Sequence, residues 1–197
     1  MSAGEAVPGP DGLLRCPWGL EAETMADYRA YHDTEWGHPV HGDDALFERI
    51  SLEAFQSGLS WLTILRRREG FRDAFADFKI AAVAEFTEAD EQRLLADPRI
   101  IRNRAKISAV VANARVAAEL AAGELDKLIW SHAPNPVGRP APRTFADVPA
   151  ITPESTALSR DLKKRGFRFV GPTTAYALMQ ACGLVNDHLA DCHARGA

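Results

Sequence analysis

Apolar residues recur every three or four positions over most of this chain, which is the spacing of one face of an α-helix. One such stripe runs through residues 45–57. Asp43 or Asp44 can cap the start of this helix, and Gly58 can end it. The pattern therefore predicts a helix that carries an apolar face into a core.

Capping residues mark four more helices along the chain. They are predicted to begin after Ser60, Asn103, Thr152 and Gly171. Proline follows Thr152 and Gly171 directly, and proline suits the first position of a helix. The last three of these helices are predicted to stop at Gly123, Gly166 and Gly183. No segment alternates cleanly like an exposed strand, so the predicted fold class is all-α.

Two segments lack this periodicity. Residues 1–14 are rich in Gly, Pro and Ala, which predicts a flexible N-terminal extension. Residues 131–150 hold five of the twelve prolines, which indicates an extended connection between two helical regions. The remainder, residues 15–197, is predicted to form a single domain of two close-packed helical lobes.

Composition excludes several classes of protein. With 197 residues, 46% hydrophobic and 25% charged, the chain can bury a sizeable core and is not disordered. No apolar run reaches the ~18 residues that a membrane helix needs. The start lacks the basic and apolar regions of a signal peptide, which favours an intracellular protein. Three cysteines argue against a disulfide scaffold.

The formal charge of −4 argues at first against nucleic acid as a partner. However, twelve of the 23 basic residues fall in three stretches, at 66–68, 99–106 and 160–168. An acidic body with a basic face still binds phosphate, with a strong dependence on salt. Net charge therefore does not exclude DNA.

Cysteine and histidine occur near both ends of the chain, at Cys16, His32, His188 and Cys192. His188 and Cys192 are four apart, so one helical turn places them on the same face. Two thiolates and two imidazoles suit a closed, tetrahedral structural zinc site. Spacing alone leaves two alternatives open. In one, Cys16 and Cys192 are ordinary thiols and His32 is a core histidine. In the other, a different histidine takes the place of one of the ligands.

A carboxylate lies among aromatic residues in the first third of the chain. Glu53 falls at the border of the apolar stripe in the predicted helix 45–57. The surrounding aromatic residues are Trp18, Tyr28, Tyr31, Trp36 and Trp61. Flat rings with a polar edge can stack on a nucleobase, and a partly desolvated carboxylate can accept from its amino group. The alternatives are a surface pair between Arg49 and Glu53 and an ordinary aromatic core.

Residues 163–174 form the most informative local stretch, because two helices flank a short turn that has glycine at each end. The free N–H groups at the start of the second helix, together with nearby basic residues, suit a phosphate. Phe167, Phe169 and Val170 are expected to anchor the turn in the core. The alternative is a plain helical connection with a solvated basic face.

Four separated motifs together resemble the 3-methyladenine DNA glycosylase I family, which belongs to the helix-hairpin-helix glycosylases. They are YHDTEWG at 31–37, LEAFQSGLSW at 52–61, KKRGFRFVG at 163–171 and MQACGLVNDH at 179–188. The resemblance runs from about residue 15 to 192. It implies an all-α helix-hairpin-helix glycosylase fold, in which a structural zinc joins the N- and C-terminal regions.

The resemblance also implies a role for each site residue. The metal ligands are Cys16, His32, His188 and Cys192. Glu53 is the catalytic and base-recognising carboxylate. The other base-binding residues are Trp18, Tyr28, Tyr31, Trp36 and Trp61. The residues that contact DNA are Gln56, Gly58, Leu59, Gly166, Phe169, Val170, Gly171 and Thr173.

The activity implied by the resemblance is base-excision repair. A monofunctional glycosylase flips 3-methyladenine out of alkylated double-stranded DNA and hydrolyses its N-glycosidic bond, leaving an abasic site. The protein is expected to be a monomer in a bacterial-type cytoplasm, associated with the nucleoid and not with a membrane. Asn186 stands where most of the superfamily carries an aspartate. Two other hypotheses are a zinc-stabilised helical module that binds DNA without catalysis and a hydrolase with catalytic zinc.

Overall fold

The computed structural model describes residues 4–20 and 25–196, and most of the regular structure in these ranges is helical. The α-helices there are α1 (Ala26–Thr34), α2 (Asp43–Gln56), α3 (Trp61–Leu65), α4 (Arg68–Ala74), α5 (Ile80–Ala84), α6 (Glu88–Ala96), α7 (Arg104–Ala118), α8 (Glu124–Trp130), α9 (Pro153–Lys164) and α10 (Pro172–Ala181). The predicted helical character is confirmed.

The described part of residues 1–14, which the sequence predicts to be a flexible extension, contains a short hairpin. Strands β1 (Val7–Pro8) and β2 (Leu14–Arg15) pair antiparallel across a short turn. Buried Arg15 fixes this hairpin, because its guanidinium pairs with Asp11 at 2.7 Å and with Asp33 of α1 at 2.8 Å. Two-residue strands are too short to produce a detectable alternation, which is why the sequence pattern misses them.

The predicted caps hold at three helices. The side chains of Ser60, Asn103 and Thr152 each accept a hydrogen bond from the backbone N–H three residues later. Helices α9 and α10 begin with Pro153 and Pro172, as expected. Local sequence therefore determines where these helices start.

The predicted cap of α2 is wrong. This helix begins at Asp43 itself and has no side-chain cap. The Asp43 carboxylate instead accepts from the N–H groups of Gly123 and Asp126, at 2.7 and 2.9 Å, and so caps α8. Asp44 accepts from the N–H of Ile80 at the start of α5. Gly123, expected to end the long helix, precedes α8, because α7 already stops at Ala118.

The core is built around α2, which is buried over most of its length and packs against α3, α7, α8 and α10. Helix α5 packs on α7, and α9 packs on α10. A second, smaller cluster of buried residues joins Cys16 to Leu189, Cys192 and Ala194, so the two ends of the described chain meet. In residues 4–20 and 25–196, every helix is too short or too polar to cross a bilayer.

Candidate functional site

A cavity of about 190 Å³ opens beside α2 and is called the aromatic cavity below. It is lined by Trp18, Tyr28, Tyr31, Trp36, Glu53, Gln56, Trp61, Phe145, Val148, Ala177, Gln180 and Asp187. Pockets for drug-sized ligands usually hold roughly 300–1,000 Å³. This smaller space suits one planar ring system, not a whole nucleotide.

All five aromatic residues singled out in the sequence line this cavity. Trp18 packs at a tilted angle on Tyr28, with ring centroids 5.1 Å apart, and edge-to-face on Trp36 at 5.0 Å. Tyr31 and Trp61 are 5.3 Å apart. Tilted and edge-to-face contacts hold the rings at fixed angles. The walls therefore present aromatic surfaces to whatever enters.

Glu53 lies in the same cavity with almost no access to solvent. Its side chain is 5% exposed, and its Oε2 has no hydrogen-bond partner in the described part of the chain. Burial raises the pKa of Glu53 to about 8, although the charge of Arg49 opposes the rise. Arg49 itself pairs with Glu35 at 3.3 Å. The alternative of a surface pair between Arg49 and Glu53 therefore does not hold.

A second polar group in the cavity is also unsatisfied. Trp61 Nε1 is buried and has no acceptor among the residues that the structure describes. Buried polar groups are paired in the great majority of cases, so an unpaired donor and an unpaired acceptor in one cavity indicate a ligand site. A planar ligand that carries both an N–H donor and a ring-nitrogen acceptor would satisfy the two groups.

Besides the small Ala177, sequence reasoning missed four other residues of the cavity wall. Phe145 and Val148 come from the proline-rich connection, where no periodicity points to them. Gln180 and Asp187 belong to the motif at 179–188, but their side chains were assigned no role. Long-range packing brings these four side chains to α2, and only the motif around Gln180 and Asp187 offered a local signal.

Asn186 and Asp187 face opposite ways. The Asn186 side chain is exposed and donates to the carbonyl of Arg195 at 2.9 Å. Asp187 is buried and lines the aromatic cavity. Because α10 ends at Ala181, this pair lies in irregular chain and not on a helical face. The cavity therefore contains the carboxylate of Asp187. The pattern of the helix-hairpin-helix glycosylases expects an aspartate one residue earlier, where this chain has Asn186.

The turn at residues 56–59 lies at the edge of the aromatic cavity. A neighbouring depression is lined by Glu53, Gln56, Ser57, Gly58, Leu59, Thr173, Thr174 and Ala177. Gly58 has φ +82°, a left-handed conformation that favours glycine, and Leu59 is 41% exposed beside it. The structure thus brings the turn and the start of α10 together at the cavity entrance.

Lys106 supports this turn from beneath. Its buried ammonium group donates to the carbonyl of Phe55 at 2.9 Å and to that of Ser57 at 2.6 Å. Carbonyl groups at the end of a helix lack intrahelical partners and attract positive charge. Lys106 therefore fixes the end of α2 and the turn that follows, and it is not part of an exposed basic face.

Residues 165–171 connect α9 and α10 in a tight hairpin. Phe167 and Val170 are buried as expected, but Phe169 is 41% exposed. The expectation that Phe169 anchors the hairpin is wrong, because its left-handed φ of +56° turns the side chain outward. Asn113 of α7 clamps the hairpin by exchanging two hydrogen bonds with the backbone of Arg168. The hairpin presents the free N–H groups at the start of α10.

Basic charge is distributed less evenly than the sequence suggests. Arg66, Arg68 and Arg99 form ion pairs with carboxylates at 2.5 to 3.0 Å. By contrast, Lys163, Lys164, Arg165 and Arg168 around the hairpin are exposed and make no ion pair with any described residue. Four exposed basic residues without an ion pair therefore lie together at the end of α9 and in the hairpin, while others, such as Arg102 and Arg104, lie elsewhere on the described surface.

Cys16, His32, His188 and Cys192 form one buried group, called the Cys/His cluster below. Their sulfur and ring-nitrogen atoms all lie within 4.8 Å of one another. Cys192 Sγ is 3.6 Å from His32 Nε2 and 3.6 Å from His188 Nδ1. The sequence prediction that these four residues converge is confirmed.

The remaining nitrogen of each histidine is also engaged. His32 Nδ1 lies 2.7 Å from Asp33 Oδ1, and His188 Nε2 lies 2.9 Å from the carbonyl oxygen of Trp36. These acceptors fix which nitrogen carries the proton and leave the other nitrogen, as a lone pair, to face the two sulfurs. The cluster thus directs two sulfur atoms and two ring nitrogens, each with a lone pair, towards one another.

Solved structures of known proteins match nearly the whole chain. A crystal structure of 3-methyladenine DNA glycosylase I superposes with a TM-score of 0.82 at 43% identity, covering 91% of this chain and 98% of the other. A variant of a 3-methyladenine DNA glycosylase I in complex with 3-methyladenine superposes with a TM-score of 0.81 at 36% identity, covering 90% of this chain and 96% of the other.

Sequence relatives agree with the structural ones. DNA-3-methyladenine glycosylase 1 of Escherichia coli K12 is 44% identical over 182 residues, which is 91% of this chain and 96% of the relative. The model of the methyladenine glycosylase family matches residues 21–195. The chain therefore belongs to the methyladenine glycosylase family, which is a family of enzymes.

The buried Glu53 carboxyl predicts a measurable stability cost at alkaline pH. Its folded-state pKa of about 8 lies above the ordinary value of 4.5, so the stabilising, protonated form is fully present below pH 4.5. Stability is lost as the pH rises from there towards 8. Relative to Glu53→Gln, the wild type should lose roughly 3–5 kcal/mol of unfolding free energy between about pH 4.5 and 8.5.

Urea denaturation at several pH values measures this difference. Glu69→Gln is the matched control, because Glu69 is 80% exposed and should follow the wild-type curve. Parallel curves for wild type and Glu53→Gln would mean that the pKa of Glu53 is not raised.

Proposed function

We propose that this protein is a monofunctional DNA glycosylase that releases 3-methyladenine from alkylated double-stranded DNA. The observation that carries the proposal is the buried, unpaired carboxylate of Glu53 in an aromatic cavity large enough for one base. The family membership and the relatives named for this activity support the same substrate.

The chemistry of the lesion explains the composition of the cavity. Adenine methylated at N3 in DNA carries a positive charge, whereas normal adenine is neutral. A cation over aromatic faces gains a favourable electrostatic interaction, and a nearby carboxylate in a dry site adds a stronger one. Binding the cation also favours the ionised form of Glu53 over the protonated form. The cavity therefore selects the damaged base by charge as well as by shape.

The cation is also a good leaving group, so the protein needs no general acid at the base. As the N-glycosidic bond breaks, its electron pair moves to the base nitrogen and neutralises the positive charge. Water then adds to the sugar C1′ and loses a proton, which leaves an abasic site. No lysine lines the cavity in the described part of the chain, which fits hydrolysis without a lyase step.

DNA is proposed to lie across the 56–59 turn and the 165–171 hairpin. Leu59 and Gln56 would enter the duplex where the nucleotide has left, supported by Lys106. The hairpin would act as a helix-hairpin-helix motif, in which Gly166, Phe169, Val170, Gly171 and Thr173 present backbone and side-chain groups to phosphate. The exposed basic residues around it fit a small footprint with a strong dependence on salt.

The Cys/His cluster is proposed to hold a structural Zn²⁺. In a tetrahedral site with two sulfurs and two nitrogens, neighbouring sulfur and nitrogen atoms lie roughly 3.5 Å apart. The corresponding distances here are 3.6 to 3.8 Å. The hydrogen bond between the two thiols lowers the pKa of Cys192 and raises that of Cys16. Two adjacent thiolates repel each other, and a cation bound between them would remove that repulsion. Four protein ligands would leave no open position for catalysis.

The remaining expectations are part of the same proposal. We infer a protein that works as a monomer on DNA in the cytoplasm, close to the nucleoid. The aromatic cavity, the turn and the hairpin all come from one chain, so one protomer carries a complete site.

Removing the charge of Glu53 should slow the excision of 3-methyladenine strongly. Wild-type protein incubated with methylated duplex DNA should release 3-methyladenine, identified by chromatography of the free bases. Glu53→Gln should lower the rate roughly 10- to 100-fold, because an amide cannot complement the cation. Glu69→Gln should retain the wild-type rate. Full excision by Glu53→Gln would disprove the assignment, and binding without any released base would favour the non-catalytic DNA-binding module.

Metal content tests the Cys/His cluster separately. Purified protein should contain one zinc per chain by elemental analysis. Cys192→Ala should lose most of this zinc and unfold at a lower temperature, because metal binding contributes directly to folding. Cys182→Ala is the control, since Cys182 is buried away from the cluster and its loss should leave the zinc in place. Equal zinc in both variants would exclude this site.

A further inference from the structure

Asp187 is enclosed by hydrogen-bond donors at the wall of the aromatic cavity. Its carboxylate accepts from the Tyr176 hydroxyl at 2.5 Å, from Gln180 Nε2 at 2.9 Å and from Arg139 Nη2 at 2.8 Å. Arg139 also donates to the Tyr176 oxygen at 2.9 Å. The carboxylate is 4% exposed. Because every partner donates to it, this carboxylate is held in one orientation.

The negative charge of Asp187 is balanced by a neighbouring cation. Arg139 neutralises Asp187 directly, and Arg139 comes from the proline-rich connection between the two helical regions. Burial raises the pKa of Tyr176, and the hydrogen bond to Asp187 raises it further, so the phenol remains a donor. Glu53, by contrast, has no such partners. The protein therefore holds the Asp187 carboxylate by three donors, whereas it leaves Oε2 of Glu53 without a partner among the described residues.

The fixed carboxylate of Asp187 determines the orientation of the Gln180 side-chain amide. An ionised carboxylate only accepts hydrogen bonds, so the amide nitrogen must face Asp187. The amide oxygen must then face elsewhere, and within residues 4–20 and 25–196 it has no hydrogen-bond donor. Gln180 lines the aromatic cavity, and no hydrogen bond within the described residues ties this oxygen to the protein. Turning the amide over would bring two acceptors together.

We propose that Asp187 is a positioning residue that presents the Gln180 amide oxygen as an acceptor to the flipped base. Gln180 thereby selects alkylated purines with an amino group at C6 over those with a carbonyl group there. This inference rests on the proposed function, because it assigns a second specificity contact to the same cavity.

The donor and acceptor pattern of the two purines makes the selection possible. The C6 substituent of adenine is an amino donor, whereas that of guanine is a carbonyl acceptor. A fixed amide oxygen can pair with the first and leaves the second unpaired. Sites built around a hydrogen bond discriminate strongly against the analogue that cannot make it. The charge of Glu53 does not separate the two bases, because methylated guanine is also a cation. Gln180 therefore adds a second, fixed acceptor beside the unpaired oxygen of Glu53.

Binding of free 3-methyladenine and free 3-methylguanine, followed by quenching of tryptophan fluorescence, tests this inference. Gln180→Met should weaken binding of 3-methyladenine about fivefold and leave binding of 3-methylguanine unchanged. Asp187→Asn should narrow the ratio of the two dissociation constants by a similar factor, because the introduced amide can pair with either end of the Gln180 amide and lets it turn over. Gln92→Met and Asp73→Asn are matched exposed controls that should keep the wild-type ratio.

The outcomes separate this inference from the proposed function. A wild-type protein that releases no base from methylated DNA would overturn the proposed function and the inference with it. A wild-type protein that releases 3-methyladenine, while Gln180→Met keeps the wild-type ratio, would overturn the inference alone. Equal weakening for both bases in Gln180→Met, at an unchanged unfolding temperature, would also overturn it. If Asp187→Asn does not fold, Gln180→Met still decides.

Discussion

An unpaired carboxylate in a dry aromatic cavity is the constraint around which this structure is organised. Glu53 has lost its water without gaining a cation or a hydrogen bond to Oε2 from any described residue, and burial raises its pKa to about 8. Such a group costs stability in the empty protein. The same group offers a strong interaction to a planar cation, so the cost in stability and the selectivity have one physical origin.

The walls around Glu53 are held in place by contacts between the two ends of the described chain. Trp18 packs on the ring of His32 at 4.9 Å, and the carbonyl of Trp36 accepts a hydrogen bond from His188. The Cys/His cluster is thus directly connected to two residues of the aromatic cavity. A zinc ion there would stabilise the fold and the shape of the cavity together, without touching the base.

Much of this arrangement could be predicted from the sequence, because its signals are local. Caps at Ser60, Asn103 and Thr152 give the starts of helices, and the position of Glu53 at the border of an apolar stripe gives its partial burial. Contacts between distant segments could not be predicted. Asp43 caps a helix about eighty residues away, and the aspartate that faces the cavity is Asp187, because the chain there follows no helical periodicity.

The dependence of kcat/KM on pH tests the role of Glu53 most directly. The substrate is duplex DNA that contains 3-methyladenine, and the uncatalysed release at each pH is subtracted. Because kcat/KM reports the ionisation of the free enzyme, it should rise about tenfold per pH unit up to the Glu53 pKa of about 8 and then level off. Glu53→Gln should lack this rise. A wild-type profile that is flat from about pH 6 to 9, or that falls, would contradict recognition of the cation by a buried carboxylate.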